Sequence, residues 1–283
     1  MKRRRHERRR AGSHMRDLRH GSTFGLSTLI LPQNLSLWSP KAGIKRIDII
    51  PYEVSKGNPY ADEGTWYYER TYWVHRNVGV SENSYVCPAK TVGKACPICE
   101  ARSKLARDPS ADKDVIRTLK PRERQLFLVY DHDETDKGVQ LWDVSYFAFG
   151  MLLDDYRRDA DESEKHIIDF DDFEAGSTLR VSFKEESIGS STFVKAFRID
   201  FKPRQKPLDD ELLDHGICLD SLIKILSYEE LRSIFYEEVN RGNGKVDDVD
   251  TDDEEEDDIP FDEQLNVKRS DEPEKPRLFE WDE

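Results

Sequence analysis

The chain has 283 residues, room for one large domain or two small ones, with 36% hydrophobic and 36% charged side chains. That balance is thin in core for the length and predicts that part of the chain stays outside any packed domain. No apolar run reaches transmembrane length, the charged amino terminus has no secretory apolar segment, and four cysteines suit a reducing cytosol better than a disulfide framework.

The net charge of −14 is unevenly spread. Residues 247–283 hold eighteen acidic side chains against four basic ones, and residues 1–20 hold nine basic against two acidic. Residues 41–124 hold sixteen basic and eleven acidic residues, and the excess acid of the core lies downstream. A basic arm, a basic half-core, an acidic half-core and a very acidic tail point to a polyanionic partner and a tail able to compete with it.

In chain order, residues 1–22 read as an unfolded basic arm, with Lys2 to Arg10 (KRRRHERRR) lacking any apolar period. A folded core is expected over 23–207. Lys45 to Tyr52 reads as a strand ended by Pro51, and Trp66 to Val74 (WYYERTYWV) as a second strand dense in aromatics. This second strand runs directly into His75, which is followed by Cys87 and by Cys96-Pro97-Ile98-Cys99.

Cys-x-x-Cys places two thiolates on one tight turn, and a metal preferring a tetrahedron of soft or borderline donors then needs two more ligands. His75 and Cys87 supply them. A thioredoxin-like redox pair uses the same spacing, but beside a βαβ unit that is not evident here. A deaminase site needs His-x-Glu, and this chain has His75-Arg76-Asn77. The expectation is therefore one structural zinc ion on His75, Cys87, Cys96 and Cys99. The fourth cysteine, Cys218, reads as a small buried hydrophobe.

After the knuckle, Glu100 to Arg107 is helical in pattern. Gln125 to Asp131 and Val139 to Ser145 read as a hairpin, Tyr146 to Tyr156 as helix, and Ser177 to Glu185 and Thr192 to Phe201 as two strands joined at Gly189-Ser190. The fold class expected is mainly β (α+β): an OB-type barrel with an inserted zinc subdomain at about 60–108 and C-terminal helices. Over 208–241 the spacing of Leu212, Leu213, Leu222, Ile225, Leu226, Leu231, Ile234 and Phe235 predicts two amphipathic helices. Residues 242–283 form an acidic low-complexity tail.

Single-stranded nucleic acid requires cations for phosphates and flat rings for bases. The segment 41–130 carries both, and the expected contacts are Lys45, Arg46, Arg70, Tyr72, Trp73, Arg76, Tyr85, Lys90, Lys94, Lys120, Arg122, Arg124 and Phe127. Each ring is either core or stacking platform, because aromatics fall on both faces of the Trp66 strand. In the tail, Asp257, Asp258, Ile259, Pro260 and Phe261 set apolar side chains after acids, a pattern suited to a basic-rimmed apolar pocket on a partner.

With His75, Cys87, Cys96 and Cys99 in this order, flanked by a basic arm, the Lys120-to-Arg124 stretch, the Gly189 hairpin and an acidic tail, the chain resembles the zinc-containing single-stranded-DNA-binding proteins of T4-like bacteriophages. The resemblance covers roughly residues 40 to 240. It implies non-catalytic, sequence-independent, cooperative coating of single-stranded DNA in phage replication, recombination and repair, in the cytoplasm of the infected host. It also implies self-association along the DNA through the basic arm, and recruitment of replication and recombination proteins through the tail, with no membrane role. The Asp257-to-Phe261 segment is similar to the tip of bacterial single-stranded-DNA-binding proteins, but here twenty-two residues follow Phe261. An RNA-binding translational regulator on the same fold is the alternative. A zinc-dependent nucleic-acid enzyme would need an open coordination position or a carboxylate-bound second metal.

Overall fold

The computed structural model of the chain describes residues 24–25, 28–80, 82–188 and 191–237. The expected basic arm, the Gly189-Ser190 turn and the acidic tail with its Asp257-to-Phe261 segment lie outside the described residues.

Two short strands open the fold, β1 (Phe24–Gly25) and β2 (Ile30–Leu31), paired with each other. Strand β3 (Gly43–Ile50) stops at Pro51, whose missing N–H cannot join a ladder. The chain resumes as β4 (Tyr52–Glu53), which pairs with β5 (Trp66–Tyr67). Then come β6 (Glu69–Val78) and β7 (Asn83–Val86), helices α1 (Pro88–Val92), α2 (Pro97–Ala106) and α3 (Lys113–Thr118), and strands β8 (Arg122–Asp131) and β9 (Val139–Ser145). Helices α4 (Gly150–Asp159) and α5 (Lys165–Ile168) precede the long hairpin of β10 (Ser177–Ile188) and β11 (Ser191–Pro203). The described chain ends with α6 (Asp210–Leu213), α7 (Leu219–Leu222) and α8 (Tyr228–Glu237).

The main sheet is antiparallel, in the order β11-β10-β3-β8-β6-β7, with β9 added on β8. Strand β8 is its axis. On one edge, Arg122–Phe127 pairs with β6 and Leu128–Asp131 with β3, while the other edge carries β9. These pairings define an open sheet of the α+β class.

The period-2 alternation of β8 divides the apolar side chains between two cores. Phe127 and Val129 face one core with Ile47, Ile49, Trp142, Phe149, Leu179 and Phe183. Leu126 and Leu128 face a second with Ile50, Tyr52, Tyr72, Val74, Leu213, Leu219 and Leu222. Helix α4 lies close over β8, because a side chain at Gly150 would meet Gln125 Oε1 at 1.8 Å.

Two expectations are corrected. Of the expected 208–241 segment, the described residues 208–237 fold as three helices instead of two, because Gly216 (φ 66°) turns the chain after α6 and extended Ile223 bridges to Leu29 before α8 begins. The aromatic run at Trp66 is two strands, β5 and β6, interrupted at Tyr68, whose buried ring packs on Phe127 and Phe170.

Candidate metal centre and the cations around it

The hairpin of β6 and β7 carries the first ligand. His75 stands opposite Tyr85, and beyond it the register shifts as Asn77 (φ 50°) and Gly79 (φ 86°) turn the chain back. Cys87 follows β7 directly and sits at the amino end of α1, where its N–H donates to the Trp73 carbonyl at 2.7 Å. Helix α1 ends at Gly93 in the left-handed region (φ 68°), and three residues later Cys96 opens α2, with Cys99 in its first turn. Pro88 and Pro97 each occupy the first helical position, which needs no donor and starts each helix immediately after a cysteine.

The four ligand atoms lie within 4.8 Å of one another. Cys96 Sγ and Cys99 Sγ are 3.4 and 3.6 Å from His75 Nε2, and Cys87 Sγ is 3.5 Å from Cys99 Sγ. A tetrahedral zinc ion with Zn–S of about 2.3 Å and Zn–N of about 2.0 Å requires S···S edges of about 3.8 Å and S···N edges of about 3.6 Å. The three short edges at Cys99, Cys96 and His75 match such an ion to within a few tenths of an ångström. His75 Nδ1 is 3.0 Å from the Leu119 carbonyl, which can only accept, so Nδ1 carries the proton and Nε2 presents its lone pair to the cluster.

The side chains of the cluster shift one another's protonation. Burial alone would lower His75, but hydrogen bonds to Cys87 and Cys96 outweigh it and raise the imidazole to about 9. Hydrogen bonds from Cys87 and Cys99 pull the Cys96 thiol down, while those from Cys87 and Cys96 push Cys99 up. Binding of a metal ion at such a cluster displaces thiol protons, so its affinity rises with pH.

Around the cluster is a small core of Val78, Ile98 and Leu231, with Trp73, Tyr85, Leu119, Leu226, Ile234 and Phe235 partly buried against it. Leu231, Ile234 and Phe235 belong to α8, over 130 residues downstream of Cys99. The apolar spacing over 208–241 predicts α8 as part of a separate helical segment, and no local signal ties it to the knuckle. Nor did any signal point to the Leu119 carbonyl.

The expected nucleic-acid contacts separate into two groups. Tyr72 and Phe127 are 0% exposed and belong to the cores, which removes both rings as stacking platforms. Arg70 is 3% exposed, ion-paired with Asp220 at 2.7 Å, and so is a structural residue. Arg124 is held at 2.8 Å by Asp143, which also accepts from Tyr72 Oη at 2.9 Å. On the sheet, Lys45 pairs with Asp131 at 3.0 Å and Arg46 with Asp133 at 2.7 Å.

The second group surrounds the metal unit. Trp73 is half-buried with Lys90 Nζ 5.6 Å from its ring centroid. Half-buried Tyr85 stands across from His75, half-buried Arg76 follows it, and Arg122 pairs with Val74 across the ladder. Lys94 and Lys120 are exposed, Lys120 directly after the Leu119 that supports His75.

What the residues define is an antiparallel α+β protein with a buried cluster of one histidine and three cysteines able to hold a metal ion. Comparison with known protein families and with characterised proteins gives no match to the chain. Among the described residues no helix is long and apolar enough to cross a membrane.

Proposed function

We propose that the chain is a non-catalytic, sequence-independent single-stranded-DNA-binding protein whose OB-type barrel carries a structural zinc ion. The observation that carries the reading is the surface of the metal unit. A half-buried tryptophan with Lys90 over its ring packs with Tyr85 on the metal unit's core, and exposed Lys94 and Lys120 belong to the same unit. Cations set among rings are what phosphates and unstacked bases require.

Zinc, held by His75, Cys87, Cys96 and Cys99, fixes the loop geometry and offers no chemistry of its own, since four protein ligands close its tetrahedron. The chain's own side chains do the binding, with Lys94 and Lys120 meeting phosphates while Trp73 and Tyr85 meet bases. The antiparallel sheet branched at β8, with β6 and β3 on one edge and β9 on the other, is the part of that fold the pairings supply, and closure into a barrel is part of the proposal. The resemblance to the T4-like phage family extends the proposal to coating of DNA during phage replication, recombination and repair in the host cytoplasm. On that reading the basic arm mediates self-association and the acidic tail, including Asp257 to Phe261, recruits partner proteins.

The test is titration of the full chain with poly(dT) and poly(U) across a salt series. Binding of poly(dT) is expected, with log affinity falling by about 0.7 per phosphate contacted for each decade of salt. Preference for poly(U) at matched salt would favour the RNA-binding alternative. Cleavage of a labelled strand in the presence of divalent metal would overturn the non-catalytic assignment.

A further inference from the structure

The last described helix is seated on the metal unit. Within α8, Leu231 is 0% exposed in the same small core as Cys87, Cys96, Ile98 and Cys99, with Ile234 and Phe235 partly buried beside it. Ile98 lies between two ligands, so the surface that receives Leu231 is the knuckle loop itself. Tyr228 Oη donates to Glu100 Oε2 at 2.7 Å, and Glu100 follows Cys99 directly. The start of α8 is closed locally by Ser227 and Glu230, each of which accepts the other's backbone N–H. These caps settle where the helix begins but do not hold it to the body.

The segment just before α8 is anchored differently. Leu219 and Leu222 of α7 are buried in the second core, the Lys224 N–H donates to the Thr28 carbonyl at 2.9 Å, and Ile223 bridges to Leu29. None of these contacts involves the knuckle. The boundary between metal-independent and metal-dependent anchorage therefore falls at residues 225–227.

We propose that α8 is a metal-dependent latch: ligation of His75, Cys87, Cys96 and Cys99 shapes the seat for Leu231, Ile234 and Phe235, and loss of the ion releases α8 while α7 stays docked. The proposal rests on the metal reading and is independent of any nucleic acid. Linkage makes the coupling reciprocal, so a weakened latch also weakens metal binding.

The experiment is hydrogen exchange of the full chain, zinc-loaded and after chelation, with metal content measured in parallel. Peptides covering 228–237 are expected to exchange at least about tenfold faster without zinc, whereas those covering 217–224 and the β3 and β10 strands keep their rates. In a second arm, Leu231→Ala lowers zinc affinity by about tenfold in competition with a chromophoric chelator, by the same linkage. A chain that holds no zinc when loaded overturns the metal reading and the latch together. A chain that holds zinc but shows equal exchange of 228–237 in both states overturns the latch alone. Equal acceleration of 217–224 and 228–237 overturns it too, because release would then not begin at α8.

Discussion

The two ends of strand β6 sit in contrasting surroundings. At its start, the sheet is covered on both faces by cores of large side chains, with Phe127, Phe149, Phe170 and Trp142 on one side and Tyr52, Tyr72 and several leucines on the other. At its end, the β6–β7 turn, α1 and α2 share a core in which three of the six buried side chains are cysteines. The first region buries enough apolar surface to stand by itself. The second does not, and small units of this kind need a metal or a staple. Here one chain carries both solutions, joined by a strand that serves both.

The largest effect should come from removing the metal. Structural zinc stabilises isolated zinc-finger peptides by roughly 10–16 kcal/mol at pH 7. Cys96→Ser is expected to abolish zinc binding and melt the knuckle in a separate low-temperature transition, leaving the sheet folded. Loss of DNA affinity follows from the loosened unit. A Cys96→Ser protein that keeps a fully ordered knuckle without metal would remove the distinction between the regions.

Phe127→Ala tests the other side. The ring is fully buried against Tyr68, Trp142 and Phe149, and its loss should cost about 3–5 kcal/mol. Since β8 pairs with β6, denaturant unfolding should shift for both regions together while zinc stoichiometry at low denaturant stays at one. Selective loss of zinc from Phe127→Ala would mean that the knuckle leans on the sheet more than its own core suggests.

The contrast explains what could be read from the sequence. Cys96-x-x-Cys99 is a local signal, and the chemistry of a tetrahedral ion asks for the other two ligands, so all four members of the cluster were legible. The long strands β3, β6, β8, β9, β10 and β11 were legible too, from β-branched and aromatic runs, whereas the short β1, β2, β4 and the ligand-flanking β7 were not. The role of Tyr72, Arg70 and Phe127 was not. Which face of β6 is buried depends on Leu213, Leu219 and Asp220, more than 130 residues away, and an Arg70 expected on phosphate is instead the partner of Asp220. A cation that finds a buried carboxylate looks identical in sequence to one that stays in solvent. The placement of α8 failed for the same reason, since its amphipathic period names an apolar face without naming what covers it.

A smaller effect separates the regions by pH. Glu69, at the sheet end of β6, has its carboxyl pushed up to about 7 by burial, with Asp154 adding to the shift. Below its unfolded value of about 4.3 the group is protonated in both states and costs nothing. From there to about pH 7 its ionisation increasingly destabilises the fold, and above that the cost is constant. Glu69→Gln should therefore raise stability at pH 8 by roughly 1–3 kcal/mol and leave it unchanged at pH 4. Thermal melts of both proteins across that range decide it, and an equal gain at both pH values would assign the effect to packing.

The smallest expected change is the most direct test of where nucleic acid binds. Lys94 is exposed on the metal unit, and Arg46 is 59% exposed on the sheet with its guanidinium held by Asp133. If phosphates follow the metal unit, Lys94→Ala should lower the salt slope of poly(dT) binding by about 0.7, the value for one contact. Arg46→Ala should leave the slope unchanged, because its charge is already satisfied within the protein. Equal losses at both positions would spread the footprint across β3. A loss at Arg46 alone would move it to the sheet and leave the knuckle a purely architectural element.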